Sequence, residues 1–357
     1  MVKSTNVTCL RLNDVGPIIR NNTVKLRQLS ASDVMINGVS NGTIVGTKNI
    51  KIPGNLYCNY TLLPNNTNYF QIQYTVINSV TLTIVTSQTV IVDWGDGTID
   101  NLVTHMYNKP GTYIIGISTQ NTNIVFNNSF LSNVTALPYL GTYTNVNSMF
   151  RNTNFNLSLS SWNTSNVTNL ASMFLNATSF NSPIFNDVNN VTTMSGMFIN
   201  ATVFNQDISF WNTINVTNMT NMFAFATSFN SPIFNNTINV TNMNSMFSGA
   251  TDFNQDISSW NTSNVLSMVS MFLNATNFNR DISSWNINKV ISMVSMFNNS
   301  GLSNTNYNKI LIGWSSQSPR IGVPLGANNN TATGDGLIAR NILINTYGWV
   351  ITDATPP

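Results

Sequence analysis

The chain has 357 residues, only 7% of them charged, with 14 Lys and Arg against 12 Asp, no Glu, one His and a net charge of +2. General acid–base chemistry needs a titratable group tuned near neutral pH, and so few are present that the composition argues against an enzyme. The small net charge leaves no field to hold a polyanion by counterion release, which argues against nucleic acid, and no apolar run reaches the roughly 18 residues that a membrane-spanning helix needs.

Residues 1–65 read as a β-rich segment with turn signals at Asn37, Asn41 and Pro53. Lys3, Arg11, Arg20, Lys25, Arg27, Lys48 and Lys51 face only Asp14 and Asp33 there, a balance that either docks on an acidic surface or is a solvated face. Cys9 and Cys58, the two cysteines, both fall in this segment and could form one disulfide, but two cysteines make no framework. The opening MVKSTNVTCLRLNDVG lacks the apolar core of a secretory leader, so export is not expected by that route unless processing has already occurred.

Residues 66–126 alternate apolar and polar residues in TVINSVTLTIVTSQTVIVDW and again over Thr112–Ser118, with a turn at Gly95-Asp96-Gly97. This pattern predicts a small β-sandwich. Asp93 and Asp96 beside these glycines read as turn formers, because a calcium loop needs more ligands at set spacing; no metal or other cofactor is predicted. His105 lies in no recognisable nucleophile motif and reads as a packed residue of the sandwich.

Residues 127–300 repeat. Met-Phe recurs at Met149, Met173, Met197, Met222, Met246, Met271 and Met296, a spacing of 24 or 25. Aligned on that pair, further columns hold Val (Val167 to Val290), Leu or Met (Leu170 to Met293), Ala (Ala177 to Ala275), Phe (Phe155 to Phe278) and Ile (Ile184 to Ile282). Such a unit cannot bury its apolar face alone, so about seven coils are expected to stack as a solenoid. The Val-to-Ala stretch predicts a helical or 3₁₀ arc, and Asp-Ile-Ser a short strand pairing at about 4.8 Å with its neighbours. Asn205, Asn230, Asn254 and Asn279 fall at equal heights and predict amide ladders. Pro183 and Pro232 lack a donor and predict less regular pairing in their two coils. Residues 301–357 break the pattern and read as a C-terminal cap with a helix near Gly336–Tyr347. The fold class is therefore mainly β with short helices: a solenoid preceded by small β-sandwich domains.

Two sets of residues are candidates for ligand binding. If Ile208 faces the core from a strand, alternation turns Asp207 outward, and the same column holds Asp256 and Asp281. A row of carboxylates beside amides could bind sugars or a cation, or be ordinary surface. Asp207 and Asp256 lie two coils apart, about 10 Å by strand spacing, somewhat wide for a glycosidase pair. On a straight strand Trp162, Phe185, Trp211, Phe234, Trp260 and Trp285 share the outward face as a stripe of binding anchors; alternatively the strand ends first and each ring turns inward. Asn166, Asn176, Asn200, Asn215 and Asn274 lie in Asn-x-Ser/Thr sequons, most of which the Asn and Thr content explains by itself.

The unit Val-x-x-Met-x-x-Met-Phe-x-x-Ala-x-x-Phe-Asn-x-x-Ile resembles the repeat of BspA-like leucine-rich-repeat surface proteins. VDWGDGT at Val92–Thr98, with His105-Met106-Tyr107 and Pro110-Gly111-Thr112-Tyr113, is similar to the PKD-type immunoglobulin-like domain often placed ahead of such repeats, and KILIGWSSQ from Lys309 with YGWVITD from Tyr347 is similar to the closing segment of the family. The resemblance covers residues 66–357. It implies a leucine-rich-repeat-like solenoid displayed outside a cell, with adhesion to a protein or glycan ligand on a host or neighbouring cell as the usual role. Relatives of this kind also occur in large viruses, where residues 1–65 would grip a capsid or envelope protein and the repeats would decorate the particle. The localisation implied is extracellular or surface-exposed, on a cell envelope or a virion.

Overall fold

The computed structural model describes residues 143–355 continuously, 69–76, 80–83, 91–102, 104–118, 125–126 and 134–139 ahead of them, and short strands between residues 18 and 51. The chain divides into two compact units, residues 1–67 and 68–357. In the first, β1 (Ile18–Arg20) pairs antiparallel with β2 (Thr23–Lys25), which pairs with β7 (Asn49–Lys51). β3 (Ser30–Ala31) pairs with β6 (Ile44–Val45), and β4 (Met35–Ile36) with β5 (Val39–Ser40). The Cys9–Cys58 bridge and the turns at Asn37, Asn41 and Pro53 lie outside the described residues.

The second unit begins with a sheet. β8 (Tyr69–Val76) pairs along its whole length with β13 (Gly111–Ser118), and β10 (Val92–Asp93), β11 (Ile99–Asp100) and β14 (Val134–Tyr139) complete five strands in the order β11-β10-β13-β8-β14. β9 (Val80–Thr83) and β12 (Thr104–Tyr107) form a separate antiparallel pair. Alternation places Ile72, Tyr74 and Val76 of β8 and Ile115 and Ile117 of β13 in the core with Trp94 and Tyr107. The fifth strand comes after residue 126, so the boundary expected there falls inside the sheet.

Seven coils follow. Strand makes up only 15% of the chain and helix 10%, because the coils are built from turns. In one coil the N–H groups of Met173, Leu175, Ala177 and Phe180 donate to the carbonyls of Leu170, Ser172, Phe174 and Ala177 at 3.2, 3.1, 2.9 and 3.0 Å. Ser172 (φ 55) and Asn176 (φ 58) stand third in the first and third of these turns, where a type II turn requires positive φ. All seven coils repeat this. One column is Ser148, Ser172, Gly196, Asn221, Ser245, Ser270 and Ser295, the other Asn152, Asn176, Asn200, Phe225, Gly249, Asn274 and Asn299, every φ between 53 and 69. A left-handed residue every four positions stops a helix from propagating, which is why the expected helical arc is a chain of turns.

These turns aim alternate N–H groups along the axis. Leu170, Ser172, Phe174 and Asn176 donate to the carbonyls of Thr193, Ser195, Met197 and Ile199 in the next coil at 3.1, 2.9, 2.9 and 2.7 Å, and a parallel bridge runs from Asn145 through Asn169, Thr193, Asn218, Asn242 and Ser267 to Ser292. The expected strand at Asp-Ile-Ser does not form; pairing runs through the Val-to-Ala stretch instead. The two backbone bonds at the Ile edge, from Leu159 and Ile208, land on the carbonyls of Pro183 and Pro232 at 2.8 and 3.0 Å. The proline coils are therefore not the less regular ones there, since proline lacks a donor and keeps its acceptor.

Inside, the columns become stacks of rings. Phe174, Phe198, Phe223, Phe247, Phe272 and Phe297 follow one another at 5.4–5.9 Å with interplanar angles of 1–8°. A second column from Phe155 to Phe278 interleaves with it, Phe198 lying 3.9 Å from Phe204. The Val, Met, Phe and Ala columns are buried, as is the Ile column except at half-buried Ile233.

Both ends of the stack are covered. The N–H of Phe126 donates to Met149 at 2.8 Å, and its ring stacks 5.6 Å from Phe150. At the other end α1 (Asn304–Ser315), β15 (Pro324–Ala327), α2 (Gly334–Tyr347) and β16 (Val350–Asp353) form the cap. β15 serves as the next rung, accepting from Met293 and Phe297 at Pro324 and Gly326 (2.9 and 2.8 Å). A Cβ on Gly326 would lie 2.4 Å from the Ser295 nitrogen, so only glycine lets this strand close on the last coil. Trp314 of α1 faces Phe297. Arg340 of α2 makes a two-pronged ion pair with Asp353 (2.9 and 3.0 Å), which also accepts from the Tyr307 hydroxyl at 2.7 Å.

Candidate interaction surface

The tryptophans turn inward. Trp162, Trp211, Trp260 and Trp285 are at most 4% exposed, as are Phe185 and Phe234. The N–H of Trp211 donates to Ile208 at 3.2 Å, and Trp260 and Trp285 do the same to Ile257 and Ile282 at 3.1 Å. This turn destroys strand alternation and sends both Ile and Trp to the core. Each indole N–H is satisfied by a carbonyl of an earlier coil, Phe185 for Trp211 (3.0 Å), Phe234 for Trp260 (2.9 Å) and Ile257 for Trp285 (3.0 Å). An outward stripe of Trp211, Trp260 and Trp285 is thus corrected: these rings are core.

Asp207 and Asp256 are exposed and Asp281 is half-buried. Their Oδ1 atoms accept the N–H groups of Ser209, Ser258 and Ser283 at 2.8, 3.0 and 3.0 Å, local bonds that start the turn carrying each Trp inward. At Asp256 the Ser258 N–H and hydroxyl hold the carboxyl below the usual range. At Asp281 burial works the other way, but Ser283 and the Lys309 ammonium, 3.5 Å away, outweigh it. Pro232 occupies the column between Asp207 and Asp256, so the carboxylates form no continuous row. Carboxylates outside and indoles inside do not make one site.

The stack instead shows the solvent a lattice of neutral hydrogen bonds. The Asn column runs through the backbone: the N–H groups of Asn205, Asn230, Asn254 and Asn279 donate to Oδ1 of Asn181, Asn205, Asn230 and Asn254 at 2.9–3.0 Å. A threonine column sends the hydroxyls of Thr168, Thr192, Thr217 and Thr241 to Thr144, Thr168, Thr192 and Thr217 at 3.1–3.3 Å. Charged heads would repel when stacked at this spacing, whereas an amide both donates and accepts and so repeats indefinitely.

A third ladder is side chain to side chain, on the left-handed column. Asn176 Nδ2 donates to Asn152 Oδ1 at 2.7 Å, and Asn200 Nδ2 to Asn176 Oδ1 at 2.8 Å. It resumes with Asn299 to Asn274 (3.1 Å) and Asn328 to Asn299 (3.2 Å). Between the halves stand Phe225, 49% exposed, and buried Gly249, on which a Cβ would meet the Phe225 ring at 2.5 Å. A bulky residue at positive φ is an outlier that costs on the order of 1–3 kcal/mol. Composition hid this residue; the signal was a phenylalanine in a column otherwise Asn or Gly. Of the sequons, Asn176, Asn200 and Asn215 already donate their amides to neighbouring coils, while Asn166 is exposed.

In the sheet, Gly95 and Thr98 donate their N–H groups to Asp93 and Asp96 at 2.9 and 3.0 Å. His105 stacks 4.9 Å from Trp94, and its Nε2 lies 2.8 Å from Asp96 Oδ2. Burial pushes the Asp93 carboxyl up, against the Gly95 bond, and the Asp96 charge adds to the rise. Burial also opposes ionisation of Asp96, but Thr98 and His105 outweigh it and hold that carboxyl below the usual range. Both carboxylates serve the turn. Among the described residues no group of three His, Cys, Asp or Glu could hold a metal, and no helix is long and apolar enough to cross a membrane.

A family model described as "Mycoplasma protein of unknown function, DUF285" matches residues 121–236 and, overlapping them, 210–310. No curated protein and no solved structure matches the chain.

Proposed function

We propose a function for a chain that belongs to the DUF285 family, whose matched region, residues 121–310, is more than half of the 357: a non-enzymatic recognition or adhesion protein whose coils form a leucine-rich-repeat-like solenoid displayed at a surface. The observation that carries this reading is the outer face of the stack, where neutral amides and hydroxyls are bonded from coil to coil. Such a face is rigid, so little ordering entropy is lost when a partner docks. The exposed carboxylates Asp207 and Asp256 are tied to their own backbone, an arrangement that supports display over catalysis. The partner is a protein or glycan on a host or neighbouring cell.

A second reading, a virion decoration or fibre protein held by its N-terminal segment, is favoured by the separateness of residues 1–67 as a compact unit. Protease shaving tests both. Coil peptides released from intact cells support surface display, coil peptides recovered from purified virus particles favour the second reading, and release only after lysis removes both.

A further inference from the structure

We propose that the interruption of the amide ladder at Phe225 is a binding site for a neutral oligosaccharide; this rests on the recognition reading and names its ligand. The left-handed column holds an amide at Asn152, Asn176, Asn200, Asn274 and Asn299 and loses it at two neighbouring coils, Phe225 and Gly249. The two departures are matched. Gly249 is buried under the Phe225 ring, and any side chain there would strike it, its Cβ lying 2.5 and 2.9 Å from two ring carbons. The glycine thus makes room for a ring lying along the stack, leaving half of Phe225 exposed.

The break also frees two amide atoms. Asn200 gives its Nδ2 to Asn176, and no described residue donates to its Oδ1. Asn274 accepts at Oδ1 from Asn299, and no described residue accepts from its Nδ2. The gap is therefore edged by an open acceptor on one side and an open donor on the other. Backbone bonds tie the four positions together: Asn200 donates to Ala224, Phe225 to Ser248, Gly249 to Leu273 and Asn274 to Asn298, at 2.7–2.9 Å. Asn200 and Asn274 are three coil rises apart, about 14 Å at strand spacing. A half-exposed aromatic ring with an open polar atom on either side is a flat platform on which a ligand ring can stack.

The chemistry selects the ligand. A pyranose ring offers one face of C–H bonds, which packs on an aromatic ring, and a rim of hydroxyls that each donate and accept, which suits an amide oxygen at one end and an amide nitrogen at the other. Asn200, Phe225 and Asn274 carry no charge, which favours a neutral sugar over a sialylated or sulfated one. The span suits a short oligosaccharide lying along the axis. A bound peptide strand is disfavoured, because the N–H groups at this edge are already used between coils.

The test uses the full chain on a printed array of neutral oligosaccharides, with Phe225→Asn as the variant. Asparagine tolerates positive φ better than phenylalanine and supplies a donor toward Asn200, so the variant should melt at the same temperature or higher. Retention of at least one oligosaccharide, lost tenfold or more in Phe225→Asn, is the expected result. No retention by the wild type, or equal retention by the variant, overturns the proposal. Binding to cells from which periodate has destroyed the glycans separates the two readings: cell binding that survives periodate and still requires Phe225 points to a protein ligand, leaving recognition intact and the sugar wrong. Absence of cell binding together with absence of array binding removes both.

Discussion

The sheet at residues 69–139 and the coils at residues 143–300 both join backbone segments distant in sequence, but they fix the register differently. β8 and β13 pair over eight consecutive residues, and alternation alone decides which side chains enter the core. A coil pairs at alternate N–H groups only, and its left-handed residues set where those groups point. Register in the sheet is a property of two strands; in the stack it is a property of columns, each position meeting its own kind above and below. The sheet can therefore absorb a changed residue locally, whereas a coil passes the change to both neighbours.

Removing one ring from the stack should have the largest effect. Phe198 is fully buried between Phe174 and Phe223 and against Phe204, so Phe198→Ala should cost about 3–5 kcal/mol in urea denaturation. Phe223→Ala and Phe247→Ala should cost nearly the same, because their surroundings repeat. Ile115→Val in the sheet should cost about 0.5–1.5 kcal/mol. Widely different costs among the three phenylalanines would break the idea that the column is the unit of stability. Next comes the cap, where Asp353→Ala strands the Arg340 guanidinium. Loss of one partner of a buried pair should cost about 3 kcal/mol, read as a lower melting temperature for the coils, while Arg340→Met with Asp353→Leu should recover part of it.

How far this was legible in the sequence differs by column. Met-Phe and its companions marked the buried set, since apolar type at fixed spacing survives any local geometry. The handedness of the turns is also written in the Ser, Asn and Gly of the columns at Ser172 and Asn176, but the apolar spacing around them suggests a helical arc. Asn and Gly are residue types that tolerate positive φ, and two left-handed columns repeated through seven coils outweigh a helical period. The direction of the Trp column is ambiguous in the sequence because Asp207-Ile208-Ser209 looks like a strand until the Asp carboxylate takes the Ser209 N–H. β15 lay beyond reach: nothing in Pro324–Ala327 announces that it replaces an eighth coil except Gly326, whose need arises from Ser295 far away in sequence.

A smaller effect is expected on the left-handed column itself. Asn176→Ala removes two amide bonds, to Asn152 and from Asn200, and puts a Cβ residue less tolerant of positive φ in its place, for a loss of about 1–2 kcal/mol. The same substitution at exposed Asn166 should be nearly silent, and equal losses at the two positions would reduce the ladder to decoration.

The smallest effect sharpens the contrast through pH. In the stack, Asp256 and Asp281 are held below the usual carboxylate range, so the stability they contribute is complete above the unfolded value, about 3.9, and is lost only as pH falls through their lowered folded values. The sheet turn mixes two signs. Asp96 behaves like the stack carboxylates, but Asp93, raised mainly by burial, is penalised when it ionises, so its contribution is favourable at low pH and lost as pH rises through its folded value. Asp93→Asn keeps an acceptor for the Gly95 N–H and removes the buried charge. Its melting temperature relative to the wild type should therefore climb as pH rises from 3 to 7, whereas that of Asp256→Asn should fall over the same range. Parallel curves for the two variants would mean that the turn in the sheet and the turns of the coils hold their carboxylates in the same way.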